Sequence, residues 1–397
     1  MQIVDHKEAV YRAIVNRQGE SELTEGQVWN KQYRGALYTR AYTRGTDATV
    51  QTWTNTNETL TVNVQRETTF YFDDMDKLQS HQDDQREYAS DAGRQLQSWI
   101  DGDVLGEVAN ANSQVDAADV SGGTDTNGFT LSTSNVLTAL SLAEMRLGIR
   151  NINPGLRRVA VVGPHFLRIV REYMAGKDTP LADEVLRNGR VLRALGWDFH
   201  LSNNLYWEAR LSLVTQPSNS DTLTFNMWDI YSGSVTITLT FVTSIGSTAG
   251  NVLIGGNVDV TRANAAGIIN TPGTTDANQV ALSTVNQYRI EPFTATNDNT
   301  ADTLLVTAEG VGFVNVGETL TDATDTWTTG REIQHNLFCT PGAIDLIIQM
   351  EPSVQVNKAP LRKGSYILST TLYGLQSFND QRRRIVDVAV DSSGFAF

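Results

Sequence analysis

Cysteine is almost missing from this sequence. Cys339 is the single one among 397 residues, which rules out an internal disulfide and any cage of cysteine thiolates around a metal. Long apolar runs are missing too. No stretch approaches the ~20 apolar residues that a membrane-spanning helix requires. The opening MQIVDHKEAVYRAIV carries acids and no apolar signal core, so an intracellular site of folding and no membrane partner are expected. Histidine is sparse: His6, His81, His165, His200 and His335 stand far apart, and no H-x-x-x-H pair offers two ligands on one helix face. Neither a G-x-S-x-G nucleophile elbow nor a G-x-x-x-x-G-K-[ST] phosphate loop occurs. An enzyme is left without support, and no catalytic residue, metal site or cofactor is expected.

Basic residues are the scarcer charge, 31 Lys and Arg against 45 Asp and Glu, for a net −14. That balance argues against broad nucleic-acid binding by the whole surface. The deficit is uneven. Residues 205–334 hold four arginines, no lysine and thirteen acids, a balance of −9 that leaves −5 for the rest of the chain. The same segment is crowded with Thr, Ser, Asn and Gly between short strand-like runs, and it reads as a separate β module. With 40% hydrophobic residues, the chain can build a large core divided over two or three domains.

What is present is organised around residues 82–112. Tyr88, Ala92, Leu96, Trp99, Ile100, Leu105 and Val108 recur at steps of three and four, opposite Asp84, Glu87, Asp91, Arg94, Asp101 and Glu107. This is one apolar stripe on a helix roughly 45 Å long. Gly93, Gly102 and Gly106 are single and cost about 1 kcal/mol each. Heptad spacing is not sustained, so the helix reads as a strut laid on a sheet drawn partly from 60–75 and 366–390.

Before the strut, residues 1–40 show a weak amphipathic start (Val4, Ala9, Val10, Ile14) and then lose periodicity, as an extended arm does. Residues 48–65, ATVQTWTNTNETLTVNVQ, alternate β-branched and polar residues around Asn55-Thr56-Asn57 and are expected to pair with themselves as a hairpin. The hairpin has little core of its own and calls for a neighbouring molecule. A strand at 68–72 ends in Asp73, Asp74 and Asp76, but Leu78 occupies an oxygen-ligand position of a calcium loop, so helix-start acids are the better reading. After the strut, SGGTDTNG at 121–128 is a turn-rich loop. Thr133 is placed to cap a helix to about Gly148, RVAVV at 158–162 is a buried strand, and Gly163-Pro164 opens a second helix. Thr179-Pro180 begins another. Residues 133–204 thus form an α/β unit.

Three stretches then carry a family resemblance. Gly196, Trp197, Phe199, Ser202, Asn203 and Leu205, within VLRNGRVLRALGWDFHLSNNL at 185–205, resemble a turn and strand of tailed-phage major capsid proteins. HNLFCTPGAIDLIIQM (335–350) and GSYILSTTLYGLQSF (364–378) are similar to two late strands of the same proteins, and the order of parts agrees over about two thirds of the chain. The resemblance implies an α+β fold of the Hong Kong 97-like kind. Its parts are an N-terminal arm (1–40), an extended β-hairpin loop (41–67), a peripheral domain with the spine helix (68–132), an axial α/β domain (133–204), an inserted mostly-β domain (205–334) and a return through 335–397. No long coiled-coil pattern is read before the arm, so a built-in scaffolding domain is not expected.

The implied function is a major capsid protein whose hexamers and pentamers close an icosahedral shell around double-stranded DNA, without sequence-specific binding. It is assembled in the host cytoplasm and resident in the virion. A separate scaffolding protein and a portal are implied partners, and a decoration protein is a further candidate. Tyr42 and Trp53 are expected interface anchors, with Asn55 and Asn57 at the hairpin tip. Arg382, Arg383 and Arg384 read as a solvated strand end or a contact to a neighbour's acids. The alternatives are a carbohydrate- or host-binding surface protein built on 206–334, and an encapsulin-type compartment shell, whose members usually lack such an insertion.

Overall fold

The longest helix runs Asp84–Gly106 and tightens into a 3-10 turn at Glu107–Asn110. The structure, a computed structural model, describes residues 9–35, 37–47, 50–52, 54–75, 84–177, 193–229, 232–358 and 363–395, with the backbone alone for 84–86. The helix start expected at 82, His6, His81 and the helix expected from Thr179 lie outside them. Ala92, Leu96, Ile100, Leu105 and Val108 of the stripe are buried, and Val104 joins them. Asp101 departs from expectation: its charge suggests the polar face, yet it is fully buried. The helix is shared by two structural units. One consists of Val15–Leu96 and Ile344–Phe378, the other of Met1–Ile14, Gln97–Ala343 and Asn379–Phe397.

In the first unit, strand Val64–Asp73 pairs antiparallel with Gly364–Gln376, which pairs antiparallel with Ile344–Lys358. Val15–Asn16 adds a short parallel strand at the far edge. Tyr88 sets its ring against Phe70 and Phe72, at 5.6 and 6.1 Å between centroids, so the helix meets the sheet through one of its predicted stripe residues. The hairpin expected within 48–65 does not form. Thr56–Thr61 instead pairs antiparallel with Val28–Tyr33, and 64–65 already belong to the next sheet. Burial decides the partner. Leu60 and Val62 enter a small core with Leu23, Ile347 and Phe378, against Trp29, Tyr33 and Leu372. A self-paired hairpin would leave both in water, at about 1.5–3 kcal/mol for each large side chain. At Gly374 a Cβ would stand 2.4 Å from the Thr61 carbonyl oxygen, so glycine permits the crossing of the two chain segments.

In the second unit a nine-stranded sheet is ordered around Ile333–Cys339. One edge of that strand pairs with Val159–Val162 and with Trp207–Ser212, the other with Ile385–Asp391. Val159–Val162 continues in parallel to Trp197–Leu201. Helices Val136–Ile149 and Pro164–Ala175 bury Val136, Leu140, Phe166 and Val170 in the core beside these strands. The first helix starts after Asn135 rather than at Thr133, and its N-cap side chain makes no cap hydrogen bond.

The segment 205–334 differs from a free-standing β module in two ways. Its strands Trp207–Ser212, Thr303–Ala308 and Phe293–Asp298 extend the nine-stranded sheet directly. It also contains helices Val258–Asn270 and Thr284–Ile290. It still has its own core, with Phe225, Ile237, Phe241, Ile268 and Trp327 between that sheet and a second sheet of four strands. The alternating strand patterns are legible, but the small-residue run TRANAAGIIN hides a helix that Asn257 caps by accepting from the Val260 N–H at 2.9 Å.

Candidate assembly surface

The two strands of the ribbon Val28–Tyr33 and Thr56–Thr61 frame a segment whose described side chains are mostly exposed. Its base is fixed. Trp29 and Tyr33 set their rings edgewise to Phe378 at 5.9 and 6.3 Å. Lys31 Nζ lies 2.6 Å from the nearly buried Asp345 carboxylate and 4.8 Å above the Phe378 ring, a charge-assisted contact of the stronger kind. The Trp29 indole N–H donates to Glu22 at 2.8 Å.

Beyond this base, the described residues of 34–55 lie in neither helix nor strand. Gln51 ties its two limbs together: the Tyr38 N–H donates to Gln51 Oε1 at 3.1 Å, and the Gln51 amide donates back to the Tyr38 carbonyl. Leu37, Tyr38, Tyr42 and Val50 are all exposed, Tyr42 by 77% and Val50 by 89%. Arg34, Arg40 and Arg44 face a single acid, Asp47, over 34–47. Four large apolar or aromatic side chains on one loop are more than isolated exposure accounts for, and the loop is basic where the chain is acidic.

The expected site residues are not brought together. Tyr42 lies in this loop; Trp53 lies outside the described residues. Asn55 is exposed just before the strand, and Asn57, read as the end of a turn, sits within it opposite Gln32, its amide 3.4 Å from Asn30. Arg382, Arg383 and Arg384 close a short helix, Asn379–Arg382, in the other unit. Arg383 pairs with Asp380 at 2.9 Å, and the Arg384 carbonyl accepts from the Thr340 N–H. All three are half-buried at the start of strand Ile385–Asp391. Sequence reading missed the loop as a unit, although Tyr38, Arg40, Tyr42 and Arg44 alternate in a way that signals it.

Three buried titratable groups of the second unit, Asp101, His335 and Cys339, belong to its packed interior. Asp101 Oδ1 accepts the Val10 and Tyr11 backbone N–H groups at 2.7 Å each, and Oδ2 accepts from Asn204 at 2.8 Å. Burial raises its pKa, and these donors oppose the shift without cancelling it. Burial alone would lower the pKa of His335, but Asp387 at 2.8 Å and Glu208 at 3.7 Å raise it to about 10. Burial pushes the Cys339 thiol up to about 12, which makes it inert. Among the described residues no group of three or more His, Cys, Asp or Glu side chains is arranged to hold a metal ion, and no helix is long and apolar enough to cross a membrane.

No family model matches the chain, and no curated protein matches it. Solved structures do. One from Mycobacterium phage Che8 superposes with a TM-score of 0.57 at 13% identity, over 98% of this chain and 93% of that one. The capsid of cyanophage P-SCSP1u gives 0.54 at 12% identity, over 98% and 90%. The fold is that of a phage capsid subunit. The capsid of Ralstonia phage GP4 gives 0.50 at 10% identity, again over 98% of this chain. The α+β capsid fold therefore takes in the segment 205–334 as well as the stretches that carry the sequence resemblance.

Proposed function

We propose that the chain is the major capsid protein of a tailed phage, many copies of which close the icosahedral head around double-stranded DNA. The observation that supports this best is agreement with phage capsid structures over 98% of the chain. The loop 34–55 supports it independently. A rigid base holding an exposed basic and aromatic tip gains stability only when another molecule covers the tip. The occupant is the adjacent copy in the same capsomer. Tyr42, Asn55 and Asn57 belong to this contact, whereas Arg382, Arg383 and Arg384 act at a second, peripheral one. A scaffolding protein and a portal are the partners that assembly requires, and a decoration protein is a further one.

Replacing residues 37–50 with a short Gly-Ser linker spares Leu60 and Val62, so the subunit should keep its circular dichroism and lose shell formation. Negative-stain microscopy, with and without a scaffolding protein, reads the outcome. Normal shells from the replaced loop would sink the loop's role. Failure of the unaltered chain to close particles under every condition would sink the capsid reading itself.

A further inference from the structure

Two arginines share one carboxylate at the hairpin that opens strand Trp197–Leu201. Arg193–Ala194 pairs antiparallel with that strand, Ala194 opposite Trp197 and Arg193 opposite Asp198. Only Leu195 and Gly196 remain for the turn, and both have positive φ, 52° and 83°, the mark of a type I′ turn. Leucine is rarely found in that region, so the surrounding fold holds the turn and with it the register that sets Arg193 against Asp198. On its other side Asp198 lies opposite Val159, and Arg157, two residues earlier, reaches it from there. Arg157 Nε donates to Asp198 at 2.6 Å, and Arg193 Nε stands 3.5 Å from the other carboxylate oxygen. Among the described residues that bond to Asp198 is the one hydrogen bond either guanidinium makes.

Both guanidinium groups border a cavity of about 520 Å³ within the second unit, together with Asp198, Arg158, Gly155 and Gly196. The volume is within the range of about 300–1,000 Å³ usual for small-molecule sites. Arg158 is held differently from the other two. It is nearly buried, its Nη1 donates to Glu144 at 2.5 Å, and its guanidinium lies 5.9 Å from the centre of the Trp197 ring. Arg158 is thus fixed and compensated, whereas Arg157 and Arg193 divide a single carboxylate between them. The cavity wall carries three positive charges and one negative, in a chain whose net charge is −14.

That local reversal sets the sign of the ligand, and the guanidinium shape sets its kind. Arginine presents paired donors in a planar fork that matches oxyanions, and here two such forks reach Asp198 through Nε. A carboxylate brings two oxygens and one charge. A phosphate brings more oxygens and up to two charges, enough to span both forks at once. We infer that this cavity binds a phosphate group, whose oxygens bridge the terminal nitrogens of Arg157 and Arg193 while Arg158 supplies fixed positive charge at the same wall. A free nucleotide and a DNA backbone offer the same chemistry, and the test separates them.

The intact chain is titrated calorimetrically with inorganic phosphate, pyrophosphate and ADP, and then with a short DNA duplex in competition with pyrophosphate. We expect saturable binding of pyrophosphate at one site per chain, weakening as salt is raised. Arg157→Gln and Arg193→Gln should each weaken it at least about tenfold. Both side chains are more than half exposed, so circular dichroism and Tm should be retained. Arg168→Gln removes the same charge from an exposed pair with Glu172 elsewhere in the unit, and should leave the affinity unchanged. Displacement of pyrophosphate by the duplex assigns the phosphate to a nucleic-acid backbone. Binding of ADP that the duplex does not displace assigns it to a free nucleotide, and either result upholds the site. The assignment is overturned if no phosphate probe saturates, if glutarate binds as tightly as pyrophosphate, or if Arg168→Gln weakens binding as much as the other two. It is also overturned if folded Arg157→Gln and Arg193→Gln chains bind pyrophosphate normally, whether or not they still form shells. Loss of this site leaves the capsid reading untouched.

Discussion

A carboxylate removed from water must be compensated on every side, and Asp101 is compensated by chain segments far apart in sequence, at Val10–Tyr11 and at Ser202 and Asn204. The residue therefore fastens the beginning of the chain to the helix. Asp101→Asn keeps the shape but turns an amide donor toward existing donors, and should cost about 1.5–3 kcal/mol; the urea midpoint measures it. Glu332 behaves in the opposite sense. Burial, with Asp391 beside it, raises its pKa to about 7, and the two residues adjoin where Ile333 pairs with Asp391. A carboxyl raised in the fold contributes fully below its ordinary value near 4.5, and that contribution is lost as pH rises through 7. Glu332→Gln should thus match the native chain near pH 4 and be more stable at pH 8. The gain should be about 1 kcal/mol once solvent screening of the partly exposed group is discounted. Equal stabilities at pH 8 would refute the assignment.

The long helix offers a contrast between two of its glycines. At Gly93 an added Cβ would meet nothing within 4 Å, whereas at Gly102 it would stand 2.7 Å from Gly310 Cα. Helix propensity favours alanine at both by about 1 kcal/mol. Gly93→Ala should therefore raise Tm, and Gly102→Ala should lower it, because backbone atoms cannot yield as a flexible side chain does and overpacking costs about 1–3 kcal/mol. Thermal melts of the two variants settle the sign. The helix itself was legible because its apolar period is local. Its two surprises were not: Gly102 as a close-approach site and Asp101 as a buried anchor both depend on residues that the fold brings from elsewhere. The same limit explains the ribbon. Alternation identifies 56–61 as a strand, but only the buried places of Leu60 and Val62 choose Val28–Tyr33 as its partner. In the candidate surface only the alternation of Tyr38, Arg40, Tyr42 and Arg44 is a sequence signal; which side chains stay exposed is decided by the fold.

At the scale of the whole molecule, charge and topology act together. Residues 205–334 carry −9 of the net −14, and dense negative charge is unfavourable beside packaged DNA. If the chain forms the proposed shell, this segment should project from its outside, where its acidity would keep particles apart. The exposed turn at 271–277 can take an epitope tag, and antibody should bind intact, DNA-filled particles. Binding only after the particles are broken open would place the segment inside. The sheet it shares with strand Ile333–Cys339 means that it cannot be removed as a cassette: deletion of 206–332 would strip Trp207–Ser212 and Thr303–Ala308 from the sheet, and the remaining chain should be insoluble.

The pairing of Ile333–Cys339 with Ile385–Asp391 also sets a clock. Ribosomes add about 5–20 residues per second, and the central strand of the large sheet emerges well before the strand that covers its second edge. Until translation reaches Ile385–Asp391, a long β edge lies open and the subunit cannot complete its larger core. A chain cut short upstream of that strand leaves the edge uncovered for good. The order of strands in the sheet thus makes synthesis through Ile385–Asp391 a condition of completing the large sheet.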